Sequence, residues 1–168
     1  MGFGLPAAMG AQAAFRDRLV LCIAGDGSFQ MNTQELATAV VNKLPVKVFI
    51  VNNRFHGMVR QWQDLFYEGR YASSYLDVVP DFVKLAEAYG AVGLRASKVS
   101  DVDMVIREAL AVDKPVVADV PVDPYENCYP MIPAGGCNHE MILTDPPEIK
   151  KKQGDKPTSE DKDTVLTA

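Results

Sequence analysis

Two short polar segments of this chain carry the residues best suited to bind a metal ion or an anionic ligand, namely Gly25–Ser28 and Asn52-Asn53. Each directly follows an apolar run that is typical of a buried strand. If the two strands are parallel neighbours, Asp26 and Asn53 lie side by side at the carboxyl edge of a sheet, where open α/β sheets bind ligands. Carboxylate and amide oxygens suit Mg²⁺, which proteins commonly bind together with phosphate oxygens. The two segments therefore predict a metal-bridged diphosphate site.

Helix and strand patterns alternate around these polar segments. Residues Leu5–Phe15 are rich in alanine and helical in character, whereas Leu19–Ala24 is a continuous apolar run that predicts a strand buried on both faces. The clearest helix spans Asn32–Asn42, in which the first residue can act as the cap and Glu35 can complete a capping box. The next buried strand is predicted over Val46–Val51.

Residues 54–79 interrupt this alternation. We interpret them as a long excursion over the sheet edge, with only a hint of a helical turn at Leu65–Tyr67, and loops of such length are usually functional or mobile. Regular structure resumes in four predicted elements: a helix over Asp81–Tyr89 closed by Gly90, a strand at Val92–Leu94, a helix capped by Ser100 that runs to Val112, and a strand at Pro115–Val120. The order of elements predicts a doubly wound, mainly parallel α/β sheet with helices on both faces.

Composition narrows the classes of function. With 168 residues and 48% hydrophobic content, the chain is large enough to form one core. A net charge of −5 without a basic stripe argues against nucleic acid as a partner, and no apolar run approaches the roughly 20 residues that cross a bilayer. The three cysteines have neither metal-ligand nor disulfide spacing. We therefore expect reduced thiols and no nucleic-acid or membrane partner.

The motifs together resemble one enzyme family. Gly25-Asp26-Gly27 followed by Asn52-Asn53 is similar to the thiamine-diphosphate motif. Further segments resemble the catalytic large subunit of acetolactate synthases, also called acetohydroxyacid synthases, namely Met1–Ala8, Gly57–Gln63, Leu65–Glu68, and Pro130–Pro133 with Gly135-Gly136. The likeness predicts a thiamine-diphosphate-binding domain over residues 1–143, incomplete at its N-terminus. Residues 144–168 are polar and are predicted to form a disordered tail.

The resemblance implies a role in cofactor binding for each matching residue. Asp26 and Asn53 would ligate Mg²⁺ through their side chains, and Phe55 through its backbone carbonyl. The Ser28 hydroxyl and the amides of three residues would hold the diphosphate within the motif that begins at Gly25; these amides belong to Gly27, His56 and Gly57. The plainer alternatives are an ordinary loop aspartate, a turn at Asn52-Asn53, and a Ser28 that caps the next turn.

The resemblance also implies contacts with the rest of the cofactor and with the substrate. Met1 stands where the family places a residue that wedges the cofactor into a bent shape. Met58 would contact the pyrimidine ring or the substrate, and Trp62 would shape the acceptor pocket in favour of the larger acceptor. Core packing is the alternative for Met58 and Trp62. The His56 side chain could act as a base, although its place in the motif favours a backbone role.

The activity implied by the resemblance belongs to a longer protein. Such enzymes decarboxylate pyruvate and join the hydroxyethyl unit to a second 2-keto acid, pyruvate or 2-ketobutyrate, in branched-chain amino-acid biosynthesis. The family also implies FAD, a homodimer or higher homo-oligomer, a small regulatory subunit, and a cytoplasmic location, or an organelle stroma or matrix in a eukaryote. No segment here matches the domain that carries the family's catalytic glutamate, so we expect no catalytic residue in this chain and no activity from it alone.

Three other functions remain as alternatives. The nearest is another thiamine-diphosphate decarboxylase or carboligase. A receiver-type signalling domain also places an aspartate and Mg²⁺ at a strand end. Such a domain needs an acidic pair near its first strand and a lysine near the end of its last strand, whereas here Asp17 is isolated and Lys114 precedes its strand. The third is a non-catalytic assembly module, since a sheet domain separated from its neighbours exposes apolar faces.

Overall fold

A sheet of four parallel strands organises the first of two structural units. The computed structural model describes residues 1–147 and residue 149, so most of the predicted tail over 144–168 lies outside the described residues. The first unit comprises Met1–His56 and Ser73–Pro124; the second comprises Gly57–Ala72 and the chain from Tyr125 onward. In the order β1-β2-β4-β3, the strands are β1 (Leu21–Gly25), β2 (Lys47–Asn52), β4 (Val116–Pro121) and β3 (Val92–Arg95).

Helices of the first unit cover both faces of this sheet. The helices of the described residues are α1 (Gly4–Ala14), α2 (Asp26–Phe29), α3 (Glu35–Val41), α4 (Gly57–Phe66), α5 (Phe82–Ala88) and α6 (Val102–Ala111), with α4 in the second unit. Leu5, Leu36 and Phe82 from α1, α3 and α5 share one core with Val48 of β2. On the other face Val105 of α6 packs with Ala118 of β4. The predicted doubly wound α/β fold is confirmed.

The predicted limits of α5 are confirmed, and both have a physical cause. The Asp81 carboxylate accepts hydrogen bonds from the Val83 amide at 3.1 Å and the Lys84 amide at 3.3 Å, which caps the first turn. At the other end Gly90 has a φ of 85°, a left-handed conformation that glycine adopts without steric penalty. A short polar side chain and a glycine therefore fix where this helix begins and ends.

Two other predicted caps are wrong. Helix α3 begins only at Glu35, and Asn32 lies in a preceding 3₁₀ turn, where its side-chain amide donates to the Gly2 carbonyl. Helix α6 begins at Val102, and Ser100 lies in a 3₁₀ turn over Val99–Asp101. In both places a 3₁₀ turn precedes the α-helix, so the polar residue sits too early in the chain to cap it.

Strand β1 is not buried on both faces as predicted. Leu21 and Ile23 are 50% and 67% exposed, whereas Cys22 on the opposite face is buried. The reason is topological, because β1 lies at one end of the strand order and α6 packs toward the β3–β4 side of the sheet. The apolar run correctly indicated a strand but could not reveal that one of its faces is left uncovered within the described residues.

The predicted loop after β2 contains a helix. Residues Gly57–Phe66 form α4, of which the sequence reading detected only the final turn. The spacing of Met58, Trp62 and Phe66 at every fourth position is helical and could have revealed it.

Among the described residues, no helix combines the length and the apolar character that a bilayer-spanning segment requires.

Close packing of α5 on β3 gives a test of the fold. A Cβ at Gly93 would lie 2.5 Å from the Val83 carbonyl oxygen and 2.8 Å from its Cα. Since these are backbone atoms, the helix itself would have to move. We expect Gly93→Ala to lower the free energy of unfolding by about 1–3 kcal/mol in chemical denaturation.

The matched control is Gly10→Ala in α1, where a Cβ would meet nothing within 4 Å. Alanine favours a helix over glycine, so we expect this variant to raise the free energy of unfolding by about 0.5–1 kcal/mol. A Gly93→Ala protein as stable as the Gly10→Ala control would show that α5 does not lie this close to β3.

Candidate functional site

The strand register brings the two polar segments to one edge of the sheet. Strands β1 and β2 are parallel, and Gly25 lies opposite Val51. Asp26 and Asn52 therefore follow at the same level of the carboxyl edge, where β2 also pairs with β4 through Asn52 and Pro121. The shared edge that we predicted from these segments is confirmed. Open α/β sheets bind their ligands at such an edge.

The Asp26 carboxylate is buried at the sheet edge. The residue is 1% exposed, and neither carboxylate oxygen accepts a hydrogen bond of normal geometry from any described residue. Burial raises the pKa of Asp26, while the nearby amides of Gly27, Asp26 itself and Arg54, and the charge of His56, oppose that rise. An unpaired buried carboxylate is unfavourable. A bound cation would compensate the buried charge, so the Asp26 side chain fits the role of a metal ligand.

The segment after β2 lies against Asp26 and Gly27. The Asn53 side-chain oxygen accepts a hydrogen bond from the Phe55 amide at 3.1 Å, and Arg54 between them has a left-handed φ of 57°. A Cβ at Gly27 would lie 2.8 Å from the His56 ring. This tight turn keeps the Asn53 oxygen near the sheet edge, and a side chain at position 27 would force the His56 ring to move.

The beginning of the chain is fastened beside Ser28. The Gly2 amide donates to the Ser28 hydroxyl oxygen at 3.0 Å, and the Asn32 side chain donates to the Gly2 carbonyl. Met1 is 71% exposed next to this contact. Met1 thus directly precedes a residue that is hydrogen-bonded to Ser28, and among the described residues the Ser28 hydroxyl hydrogen is left for another acceptor.

Phe55 and His56 make contacts that we did not predict. The His56 amide donates to the Ser74 carbonyl at 2.8 Å, so it is not available to hold a diphosphate while that bond persists. The Phe55 side chain is buried at 7% exposure and contacts the Tyr75 ring, with 5.0 Å between the ring centroids. Both residues anchor the turn to the segment around Ser74, and metal binding by the Phe55 carbonyl stays a prediction.

The two asparagines have separate roles, which sequence reasoning missed. The Asn52 side-chain amide donates to Asp119 of β4 at 3.0 Å, and Asp119 also accepts from Arg95 of β3 at 3.0 Å. Arg95 in turn donates to Asp81 at 2.9 Å. This chain of hydrogen bonds and ion pairs holds the carboxyl ends of β2, β4 and β3 together. A buried aspartate within an apolar strand was the signal that could have revealed it.

Met58 and Trp62 lie on α4 in the second unit, together with Gly57 at its start. Both line a cavity of about 590 Å³, a volume suited to a small organic ligand. The Trp62 ring packs edge-on against Phe66, with 5.4 Å between the centroids. Met58 is 65% exposed, so the core-packing alternative is wrong for it. The other lining residues are Val59, Gln63, Tyr67, Arg70 and Ala72.

Within the part of the chain that the structure describes, no group of three or more His, Cys, Asp or Glu side chains could hold a metal ion. The candidate metal set is of another kind, because it combines one carboxylate with an amide and a backbone oxygen. A site with so few protein ligands suits Mg²⁺, because water and phosphate oxygens commonly occupy its remaining coordination positions.

Comparison with known proteins identifies the family. Residues 1–120 match the family described as thiamine pyrophosphate enzyme, C-terminal TPP binding domain. The chain belongs to this family. TPP, thiamine pyrophosphate, is the same molecule as thiamine diphosphate, so the resemblance stated from the motifs is confirmed at the level of the domain and its cofactor.

Several acetolactate synthase large subunits are similar to this chain. The acetolactate synthase large subunit of Haemophilus influenzae is 47% identical over 149 residues, which cover 88% of this chain and 26% of that protein. The isozyme 3 large subunit of Escherichia coli is 50% identical over 147 residues, covering 86% of this chain and 26% of that protein. The chain therefore spans about a quarter of the length of these curated relatives.

A solved structure is also similar. The thiamine diphosphate-dependent 4-hydroxybenzoylformate decarboxylase of Rhodococcus jostii RHA1 superposes with a TM-score of 0.68 at 36% sequence identity. The match covers 73% of this chain and 23% of that one. The α/β arrangement described above is thus that of a TPP enzyme.

The unpartnered carboxylate leads to a prediction about stability. We expect Asp26→Asn to raise the free energy of unfolding of the metal-free chain by about 1 kcal/mol, because it removes a buried charge and keeps the shape of the side chain. Chemical denaturation in the presence of a chelator measures this difference.

Asp103→Asn serves as the control, since the Asp103 side chain is 85% exposed and, among the described residues, forms an ion pair with Arg107 alone, at 3.2 Å on the surface of α6. Its free energy of unfolding should change by less than about 0.5 kcal/mol. A loss of stability in Asp26→Asn would mean that the carboxylate supports the fold rather than a ligand.

Proposed function

We infer that this chain is the cofactor-binding part of an acetolactate synthase large subunit. One observation supports this inference above the others. The carboxylate of Asp26 is buried at the carboxyl edge of a sheet without a hydrogen bond of normal geometry from the described residues, in a domain that belongs to the TPP enzyme family. The choice of acetolactate synthase within that family rests on identities of 47–50% to large subunits with this name.

The first unit supplies residues for the metal and the diphosphate. Asp26 and Asn53 would hold Mg²⁺ through side-chain oxygens, with the Phe55 carbonyl as a third ligand. The Asp26 charge offsets that of the cation, and the Asn53 oxygen still has a lone pair beyond the one that accepts from the Phe55 amide. The Gly27 amide and the Ser28 hydroxyl would donate to diphosphate oxygens. When bound, thiamine diphosphate supplies the nucleophilic carbon and the electron sink for decarboxylation of a 2-keto acid.

Other side chains would shape the space around the reacting groups. Met1 would support the bent form of the cofactor from its exposed position beside Ser28. In the second unit, Met58 and Trp62 would contact the acceptor 2-keto acid as walls of the cavity. An apolar wall distinguishes 2-ketobutyrate from pyruvate by one methylene, which is worth about 1–3 kcal/mol. The cavity can therefore favour the larger acceptor without excluding the smaller one.

The complete reaction requires parts that we assign to the rest of the large subunit. These are the glutamate that contacts the cofactor's pyrimidine ring and the site for FAD. We further propose a homodimer or higher homo-oligomer, regulation by a small subunit, and a location in the cytoplasm, or in an organelle stroma or matrix in a eukaryote. By this proposal the 168-residue chain binds the cofactor weakly and does not catalyse the reaction alone.

The first test is cofactor binding by the isolated chain. We expect thiamine diphosphate to bind in isothermal titration calorimetry only when Mg²⁺ is present, because the metal joins two anionic groups. Asp26→Asn should weaken this binding at least about tenfold, since metal affinity depends on the charge of the ligand set. Asp103→Asn should bind as the wild type does. Equal affinity with and without Mg²⁺ would contradict the proposed site.

The second test is activity in an assembled enzyme. We expect this chain, combined with the remainder of an acetolactate synthase large subunit, to convert pyruvate to 2-acetolactate, whereas the chain alone forms none. Product analysis by chromatography separates the outcomes. Acetaldehyde as the only product would indicate a decarboxylase instead, and robust acetolactate formation by the chain alone would refute the assignment of the catalytic glutamate to another part.

A further inference from the structure

Helix α4 has the reverse of the usual distribution of polar residues. Its buried face is polar, since Arg60 is 1% and Gln61 is 3% exposed. The opposite face carries large apolar side chains at 65% exposure for Met58, 47% for Val59 and 40% for Phe66. A helix of a globular protein normally buries its apolar stripe. The polar face therefore anchors α4 within the second unit, and the apolar face lines the cavity.

The side-chain amide of Gln61 makes two hydrogen bonds to the backbone of Cys128. Its side-chain oxygen accepts from the Cys128 amide at 3.0 Å, and its side-chain nitrogen donates to the Cys128 carbonyl at 2.8 Å. Cys128 belongs to neither a helix nor a strand. The Gln61 side chain thus pairs with the Cys128 backbone as a neighbouring strand would. The donor and the acceptor of this buried amide group are both satisfied.

Arg60 also attaches the segment around Cys128 to α4. Its guanidinium donates to Asp64 at 2.7 Å, to the Glu126 carbonyl at 2.8 Å and to the Asn127 side-chain oxygen at 2.7 Å. Asn127 continues the network by donating to Asp145 at 2.9 Å. The rigid fork of an arginine suits such a convergence of acceptors. Residues 126–128 are therefore held along the polar face of α4 by two consecutive side chains.

We propose that Gln61 and Arg60 are positioning residues that clamp residues 126–128 onto α4 and thereby fix the cavity wall formed by Met58 and Trp62. Helix α4 has ten residues, and a helix this short is marginal in water without such support. Trp62 follows Gln61 directly, so a change in the orientation of α4 moves the indole. This proposal rests on the proposed function for its consequence, which is the affinity for the acceptor 2-keto acid.

Gln61 is the better residue to change, because removing Arg60 would leave the buried Asp64 without its charge partner. Gln61→Met keeps the length of the side chain and loses both hydrogen bonds to Cys128. Gln61→Glu keeps an acceptor for the Cys128 amide and loses the donor to its carbonyl, so it provides a second variant. Gln34→Met is the control, since Gln34 is exposed and lies in the first unit.

The clamp itself is tested on the 168-residue chain. By hydrogen exchange, the Cys128 amide should exchange at least about fivefold faster in Gln61→Met, with a smaller change in Gln61→Glu and none in Gln34→Met. Trp62 is the single tryptophan of the chain, so its fluorescence reports on the cavity wall directly. Its quenching by acrylamide should change in Gln61→Met and stay as in the wild type in Gln34→Met. Unchanged exchange and quenching in both Gln61 variants would overturn the proposal.

The consequence is tested in the assembled enzyme with wild-type and Gln61→Met chains. We expect KM for the 2-keto acid to rise about tenfold while kcat changes less than about twofold, because a displaced wall weakens binding more than chemistry. Unchanged KM together with faster Cys128 exchange would overturn the positioning role. If the wild-type assembly forms no acetolactate, the proposed function fails, and the exchange and quenching results still decide whether the clamp exists.

Discussion

The buried carboxylate of Asp26 sets a condition that the first unit has to meet. A charge that is 1% exposed and accepts no hydrogen bond of normal geometry from the described residues is unfavourable, and a cation at the carboxyl edge would compensate it. That position exists only because β1 and β2 are parallel neighbours in register. By the proposed function, this charge is a local instability that would serve metal binding, of the kind that functional sites commonly retain.

The carboxyl edge is kept in place by polar side chains that are not among the proposed metal ligands. Asn52, Asp119, Arg95 and Asp81 form a continuous chain of hydrogen bonds across the ends of β2, β4, β3 and the start of α5. Removing any member would leave a neighbour unpaired, which makes such a network costly to disturb. It holds the strand end from which Asn53 continues, while the turn at Arg54 and the Phe55–Tyr75 contact direct that residue.

The second unit meets the opposite requirement, because there the apolar residues are the exposed ones. In an ordinary amphipathic helix the hydrophobic effect holds the helix to a core. In α4 hydrogen bonds from Arg60 and Gln61 take over that function, and the apolar side chains are left for the cavity. Directional bonds fix the orientation of a helix more closely than apolar contact does. This property suits a wall that has to present a tryptophan in one orientation.

The sequence alone determined the parallel α/β fold, the limits of α5, and the placement of Asp26 and Asn53 at one sheet edge, because alternating elements, caps and strand ends are local patterns. It did not reveal the exposed face of β1, since burial depends on what packs on a strand. It missed α4, whose polar residues face inward, and it assigned the His56 amide to a ligand, whereas that amide binds Ser74. Only the tertiary structure decided the exposed face of β1, the burial of the polar face of α4 and the partner of the His56 amide, because each depends on residues distant in the sequence.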